Sequence, residues 1–595
     1  MAEDTKTNAT AVPTANGLGF PGTAGDLAPI GPSDWTSTSA RHLLGRAGFG
    51  GTPEQIAKLA AMTPEQAVAL LMTPAPDLPP FEHSGVYDPS LDPFPPSRPA
   101  ATNLAARTGE AMGVKVKKSG NRRLQPVVNR FFYWLRASRL ETGRVAYWWA
   151  DRMLTSPAQL QEKMALFWHG HFAVNESKVR DYRKHLHLLG VFHEKGLGKF
   201  RDLLIAVAQS PGMLSFLDAG VNIKGSPNEN FAREIMELFT MGPGNYTEED
   251  IREAARAFTG WNYKSMDFVV NAAEHDGSAK TVLGRTGTFD GIAVVDILLE
   301  HPATAEFLTR KIYQYFVRSD PAPEVIGKLA GSFRQSDYDI GQLMRTILLS
   351  RDFHAPESAG VHIKSPVELV IGTYRKLGLT RVPGVPDFNQ ATDALGQHLF
   401  NPPTVAGWAQ GRSWITPGLL IGRGNFAYDV LFPDINFVPN DRFPLDANIR
   451  DVSDRLARGE NITAATTGRA ASTGNEMSMS NRMADMDQDF NTRYGSYRGW
   501  QMALERVKPI PRHTPDMRLA EIVETAGLQS PEEIVDHFLA RFLAVPVSSE
   551  QRISLIEILR GEMGTDNVAE ARTYLEDPLR ELAFRIMSLP DYQLS

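Results

Sequence analysis

Three histidines carry the clearest indication of chemistry in the sequence. His169 and His171 are separated by one glycine at the end of a predicted helix, and His275 lies in a turn-rich segment. We predict that the helix ends at about Trp168, because the residues after it favour extended structure. In an extended segment the first two imidazoles share one face, where they could chelate zinc, manganese or iron. The alternative is that these histidines are hydrogen-bonded in the core.

Carboxylates and arginines are concentrated between residues 226 and 261. Ser226 and Glu229 predict a capping box at a helix start, which gives this glutamate a structural role. Glu234 is the carboxylate that local helix interactions explain least. We therefore take Glu234 and Arg233 as candidate catalytic residues, with a buried ion-pair network as the alternative interpretation.

An ion-pair ladder is predicted from Glu229 through Arg233 to Glu237, because these residues are spaced four apart on a helix. Asp276 is the third catalytic candidate, since it follows His275 and a His-Asp pair can serve acid–base chemistry or hold a metal. A turn built around aspartate and glycine is the alternative. The catalytic interpretation requires this pair to fold back onto the other candidates.

The Pro/Gly/Trp-rich segment 401–425 contains the candidate ligand-binding residues Trp408, Trp414, Arg423 and Asn425. Aromatic side chains on loops suit stacking against a sugar or an extended ligand. A packed lid over the core is the alternative interpretation of the same residues.

The remaining sequence must position these groups, and its patterns predict a mostly α-helical protein. Thr52 and Thr63 each begin a Thr-Pro-Glu-Gln segment, which is typical of a capped helix start. Large aromatic residues recur along the segment 124–154 and predict a buried helical core. Short alternating runs between residues 266 and 290 predict small strands. The predicted fold is a multi-helix globular bundle with a small β-hairpin or meander insertion.

Changes in composition divide the chain into six predicted regions. They are a flexible leader (1–32), an N-terminal helical region (33–265), the small β insertion (266–290), a second helical region with the Pro/Gly/Trp loop (291–449), a low-complexity insertion (450–500) and a C-terminal helical region (501–595).

Composition excludes several classes of site. The 595 residues contain no cysteine, so disulfides and cysteine-ligated zinc or iron–sulfur sites are ruled out. The net charge of −7 gives no indication of nucleic-acid binding. No apolar run approaches the roughly 20 residues needed to span a bilayer. The first residues lack a basic region followed by an apolar one and do not read as a signal peptide. Common nucleotide-binding, nucleophile-elbow and HExxH motifs are absent.

Several segments resemble the bacterial domain-of-unknown-function 1800 family. The most specific are Trp-His-x-His-Phe at 168–172 and Asn-x-x-Ala-Arg-Glu within 228–240. Further matching segments are 41–50, 163–167, 246–261, 275–276, 364–368, 401–408, Trp414, Asn425 and the C-terminal piece that ends at Tyr592. The resemblance covers most of the chain.

The resemblance implies a mostly helical bacterial protein that is often exported, so a periplasmic or extracellular location is expected. It also implies a sulfatase-like partner, because genes of the two families are commonly neighbours. It implies no established reaction. The chain departs from the family pattern in lacking an export signal and in having Asn228 and Asn230 where histidine is often found, which weakens a metal role for that helix start.

Two functional hypotheses follow. In the first, a divalent metal or polar site built from His169, His171, Glu234 and His275 hydrolyses a polysaccharide-like or sulfated substrate of the cell envelope together with the sulfatase-like partner. In the second, the protein is a non-catalytic binding or assembly protein, and these residues form structural ion pairs and helix caps.

Overall fold

The computed structural model describes residues 19–74, 79–86, 125–434 and 492–595. This part of the chain contains 24 α-helices and two antiparallel two-stranded sheets. The prediction of a mostly helical protein with a small β insertion is confirmed. No described helix is both long and apolar enough to cross a membrane.

The helices of the first half of the chain are α1 (Ser37–Ala47), α2 (Pro53–Ala60), α3 (Pro64–Met72), α4 (Gln125–Thr155), α5 (Gln159–His171), α6 (Glu176–Val179), α7 (Tyr182–Lys195), α8 (Phe200–Ala208), α9 (Pro211–Phe216), α10 (Glu229–Met236) and α11 (Glu248–Ala257). The strands are β1 (Trp261–Lys264), β2 (Asp267–Val270), β3 (Lys280–Val282) and β4 (Arg285–Gly287).

The helices that follow the strands are α12 (Gly291–Glu300), α13 (Pro302–Phe316), α14 (Pro323–Gln335), α15 (Ile340–Leu349), α16 (Pro366–Lys376), α17 (Phe388–Ala394), α18 (Pro417–Leu431), α19 (Thr492–Arg506), α20 (Leu519–Ala526), α21 (Pro531–Phe542), α22 (Ser549–Met563), α23 (Val568–Ala571) and α24 (Glu576–Met587).

Helix α16 is buried along its whole length. All eleven of its residues, PVELVIGTYRK, are shielded from solvent, and it packs against α4, α17 and α21. A helix covered on every side is expected to be apolar all round, yet α16 contains Glu368, Arg375 and Lys376. Ser365 and Glu368 form a capping box that fixes where the helix begins. The buried charges of this helix therefore need partners from elsewhere in the fold.

The small β insertion consists of two hairpins that follow α11. Strand β1 pairs with β2, and β3 pairs with β4. Gly260 begins this insertion with a φ of +80°, and a Cβ there would lie 2.6 Å from the carbonyl oxygen of Asn271. Glycine is required at this position because both the backbone conformation and the close approach exclude a side chain.

Helix α10 begins two residues later than a Ser226 cap requires. Asn228 is the N-cap, and its Oδ1 accepts the N–H of Asn230 at 3.0 Å. Ser226 instead forms an isolated bridge with Ile223. The prediction of a Ser226–Glu229 capping box is wrong, because a turn holds the serine and leaves the asparagine at the helix boundary. The helix then continues as a π-helix over Glu237–Met241.

The predicted leader of residues 1–32 is described from residue 19 onward. The N–H of Gly22 donates to the carbonyl of His354, and the N–H of Ile30 donates to the carbonyl of Leu349. This part of the segment therefore lies along the turn after α15. The predicted low-complexity insertion at 450–500 lies mostly outside the described residues, and the predicted division into regions stays a prediction.

Replacing Asn228 with alanine tests the assignment of the α10 cap. Asn228→Ala removes the acceptor of a helix-terminal N–H, so we expect the free energy of unfolding in urea to fall by about 1 kcal/mol. The matched variant Ser226→Ala should change it by less than about 0.5 kcal/mol. A larger loss for the serine variant would contradict the assignment.

Candidate functional site

Helix α5 continues through Gly170 to His171, so the prediction that it ends near Trp168 is wrong. The N–H of Phe172 closes the last turn on the carbonyl of Trp168 at 2.8 Å. Side chains two residues apart on a helix diverge by about 200°. His169 and His171 therefore contact different parts of the protein.

His169 faces the interior of the fold. Its Nε2 accepts the N–H of Phe400 at 3.0 Å, and its ring lies 5.5 Å from that of Trp149 and 5.3 Å from that of Trp408, between centroids. Burial lowers the pKa of His169 to about 3, so the imidazole is neutral and its proton is on Nδ1. The lone pair that would bind a metal is already used by a backbone donor.

His171 bridges two elements on the other side of α5. Its Nε2 lies 3.1 Å from the carbonyl oxygen of Phe239, which is in the last turn of the π-helix and lacks an intrahelical donor. The Nε2–H donates there, so Nδ1 accepts from the ammonium of Lys311 at 3.1 Å. Burial, assisted by Lys311, holds the pKa of His171 well below its usual value. This lone pair is also used.

His275 and Asp276 fasten the β insertion to the end of α11. The Nδ1–H of His275 donates to the carbonyl of Thr259 at 2.9 Å. Asp276 accepts from Arg256 at 2.8 Å and from Ser278, and the hydrogen bond from this serine contributes most to holding its pKa well below the usual value. Among the residues that the structure describes, no group of three or more His, Cys, Asp or Glu side chains is placed to hold a metal ion.

Arg233 forms ion pairs with Glu229 at 3.2 Å and with Glu248 at 2.6 Å. The predicted ladder stops there, because Glu237 begins the π-helix and accepts from the hydroxyl of Tyr246 instead. Glu234 is half-buried and makes no side-chain hydrogen bond within the described residues. Burial raises its pKa, and the neighbouring Glu237 adds to the increase.

The four aromatic-loop candidates separate into different environments. Arg423 is buried and donates to the carbonyls of Trp414 at 3.0 Å and Lys364 at 2.7 Å, and to Oε1 of Gln593 at 3.0 Å. These contacts tie the Trp414 loop to the C-terminal segment. Asn425 is exposed on α18. Trp408 is the member of this group that lies beside His169.

A cleft of about 830 Å³ lies between α5, α13, the segment 361–365 and the loop 406–412. This volume is within the range of about 300–1,000 Å³ that accommodates small-molecule ligands. The loop packs closely on α5, because Gly407 has a φ of +84° and a Cβ there would lie 2.2 Å from the carbonyl oxygen of Gly170. His171 and Trp408 are the two predicted site residues that line the cleft.

The charges that line the cleft are cationic. They come from Lys311, Arg318 and Arg412, and no aspartate or glutamate belongs to the described lining. Arg318 is neutralised by Asp352 at 2.7 Å. Lys311 has no carboxylate partner in the part of the chain that the structure describes, and burial lowers its pKa to about 8. Arg412 is exposed, and its guanidinium forms no hydrogen bond or ion pair with another described side chain.

Behind the cleft wall lies the buried carboxylate of Glu368. It forms an ion pair with Lys163, accepts from Nε2 of His362 at 3.0 Å and accepts the N–H of Ser365 at 2.6 Å. Burial alone would raise the pKa of Glu368, but Lys163 and His362 outweigh it and hold the pKa well below its usual value. The carboxylate is therefore ionised and fully engaged.

His362 connects this carboxylate to the cleft, which it lines. Its Nε2–H points at Glu368, so the unprotonated nitrogen is Nδ1, which has no partner among the described residues. Burial, reinforced by Arg46, lowers the pKa of His362 to about 4 in spite of Glu368. A neutral imidazole oriented by a carboxylate can accept a hydrogen bond or a proton from a ligand.

Sequence reasoning missed Lys311, His362 and the role of Glu368. The available signals were a single lysine within the apolar run of α5, at Lys163, and the capping box that marked Glu368. Neither signal shows which distant residues would meet.

Comparison with known proteins identifies the family. A sequence model of the family described as "Protein of unknown function (DUF1800)" matches residues 42–594. The chain belongs to this family. The predicted resemblance is thereby confirmed over nearly the whole chain. Searches of curated proteins and of solved structures found no match. Three of the segments that resemble the family contribute residues to the cleft or to the structure directly behind its wall. They are 163–172, 364–368 and 401–408.

Replacing Glu368 with glutamine tests the buried charge cluster. Glu368→Gln leaves Lys163 without its counter-charge, so we expect the free energy of unfolding in urea to fall by about 3–5 kcal/mol. The matched variant Glu248→Gln breaks the exposed pair with Arg233 and should change the free energy of unfolding far less, because solvent screens exposed ion pairs. Similar losses for the two variants would contradict the inferred importance of the cluster.

Proposed function

We propose that this DUF1800 member binds a sugar-sized anionic ligand in the cleft. The observation that carries the proposal is the lining itself, which combines two cationic side chains that form no described ion pair, Lys311 and Arg412, with no described carboxylate in a space of about 830 Å³. An anion entering such a cleft meets attraction without a competing negative charge, and the partly enclosed walls strengthen it.

The cationic groups differ in what they offer a ligand. Lys311 on α13 places a partly buried ammonium beside the end of α5, and within the described residues its only polar contact is the neutral His171. Arg412 presents a planar fork of donors from the loop, which suits bidentate binding of a carboxylate or sulfate. These two groups are the expected contacts for the acidic substituents of the ligand.

The remaining lining suits the body of a sugar. Phe167, Tyr315 and Trp408 provide apolar and aromatic surface, and Gln314 and Gln410 provide amide groups that can pair with hydroxyls. Sulfated or uronic-acid saccharides combine these properties in one molecule. This binding role corresponds to the second hypothesis from the sequence, a non-catalytic binding or assembly protein. The charges in the cleft add the ligand class, an anionic saccharide.

Titration calorimetry on the full chain with a sulfated or uronate disaccharide tests the proposal. We expect saturable binding of the charged disaccharide. The uncharged parent sugar should bind with an affinity at least about tenfold lower, since a charge-assisted contact contributes about 1.5–3 kcal/mol. Lys311→Met and Arg412→Ala should each weaken binding of the charged sugar by about tenfold or more.

Arg345→Ala is the matched control, because Arg345 is an exposed arginine on α15 outside the cleft. Its affinity for the charged disaccharide should equal that of the wild type. Equal affinities for charged and uncharged sugars, or equal losses in all three variants, would refute the proposed anion-binding cleft.

The metal-assisted hydrolase stays a separate prediction from the sequence, and elemental analysis of the purified protein tests it. We expect no stoichiometric divalent metal at His169 and His171, because N–H donors occupy both lone pairs. One metal ion per chain that His169→Ala removes would favour the hydrolase over the binding protein. The sulfatase-like partner and the periplasmic or extracellular location stay predictions that rest on the family resemblance.

A further inference from the structure

A second, smaller cavity lies on the other side of Glu368 from the cleft. Its volume is about 40 Å³, and it is enclosed by the end of α1, the glycine-rich segment 48–51, α16 and the segment after α21. By the volume that one buried water requires, this space holds roughly two or three water molecules or one small oxyanion.

Positive charge dominates this cavity. The cationic residues that line it are Arg41, Lys163, Lys364, Lys376 and Arg541. Glu368 is the only carboxylate side chain in the described lining, which also contains the terminal residue Ser595. This glutamate is already engaged by Lys163 and His362. The other four cations form no ion pair within the described residues. Burying a charge without a close counter-charge is strongly unfavourable, so an anion in this cavity would stabilise them.

Lys364 and Lys376 are buried, and neither forms an ion pair with a described carboxylate. Both ammonium groups lie over the ring of Tyr592, at 4.4 Å and 5.3 Å from its centroid. Each donates one hydrogen bond to a backbone carbonyl, from Tyr592 and from Phe542 respectively. The two amino groups also lie within hydrogen-bonding range of each other. Within the described residues their polar contacts include no anion, and N–H groups remain that could donate to one.

Burial disfavours the charged forms of both lysines. Burial, reinforced by the neighbouring Lys376 and Arg423, lowers the pKa of Lys364 well below its usual value. Burial also lowers the pKa of Lys376, to about 8. An anion between the two ammonium groups would favour their charged forms and reverse both shifts.

Arg41 supplies an independent observation. Its Nε is buried and has no hydrogen-bond partner among the described residues, and Arg41 lines the cavity. A buried unpartnered donor on a cation is costly, and an oxyanion is the acceptor that would satisfy it.

Glycines keep the cavity open. Gly50 has a φ of +80°, and a Cβ there would lie 3.4 Å from Cε of Lys376. A Cβ on Gly372 would lie 3.1 Å from the carbonyl oxygen of Phe49. Larger residues at these positions would crowd the lysine and the loop that encloses the space.

We propose that this cavity binds one small oxyanion, phosphate or sulfate, between Arg41, Lys364 and Lys376. The site is separate from the cleft and does not depend on the function proposed for it. Oxyanions provide several acceptors around one centre, which matches convergent ammonium and guanidinium donors.

Titration of the dialysed full chain with inorganic phosphate at constant ionic strength tests the proposal, with sulfate as competitor. We expect saturable binding of one phosphate per chain in the wild type. Lys376→Met and Arg41→Gln should weaken it at least tenfold. Lys328→Met is the matched control, because Lys328 is exposed on α14 outside both cavities, and its affinity should equal that of the wild type.

Circular dichroism establishes whether each variant is folded. If Lys376→Met does not fold, the phosphate affinity of Arg41→Gln tests the proposal, because Arg41 is partly exposed. Absence of phosphate binding in the wild type would overturn the proposal. Wild-type affinity in the folded cavity variants would also overturn it. Phosphate binding that Arg412→Ala abolishes and Lys376→Met retains would place the anion in the cleft and likewise overturn it.

Discussion

The ionised carboxylate of Glu368 is the interaction on which the organisation of this protein depends. It lies on a helix that solvent does not reach, and it holds Lys163 of α5 and His362 of the preceding segment. Lys163 in turn donates to the carbonyl of Gly48, which brings the glycine-rich segment to the same point. One buried negative charge thus joins three parts of the chain that are distant in sequence. This single carboxylate side chain does not balance the five cationic residues that line the smaller cavity with it.

Local signals in the sequence predicted the fold class and several helix starts. The Thr-Pro-Glu-Gln segments at Thr52 and Thr63 and the Ser365 cap form capping boxes because their interactions span only three residues. The prediction failed at Ser226, because both Ser226 and Asn228 could cap the start of α10. The turn that holds Ser226 leaves Asn228 as the N-cap. The prediction failed again at Trp168, because tertiary contacts at Gly170 allow the helix to continue.

The site was only partly predictable for a different reason. His171 and Trp408 were identified by residue type, and both line the cleft. Lys311 and His362 were not identified, because their importance comes from burial and from partners far away in the chain. Charged residues such as Arg423 look alike in a sequence whether they bind ligands or, as here, hold backbone carbonyls together. The distinction requires knowing which carbonyls lack donors, which only the folded chain determines.

The number of residues in the π-helix at Glu237–Met241 affects the position of a charge in the cleft. In this segment the N–H of Gly242 reaches back five residues to the carbonyl of Glu237, so one more residue fits into the turn than in an α-helix. The carbonyl of Phe239 at its end fixes the tautomer of His171, and this tautomer fixes the direction of the Lys311 ammonium. The number of residues in one turn, rather than their identity, thereby sets where a positive charge points more than 70 positions further along the chain.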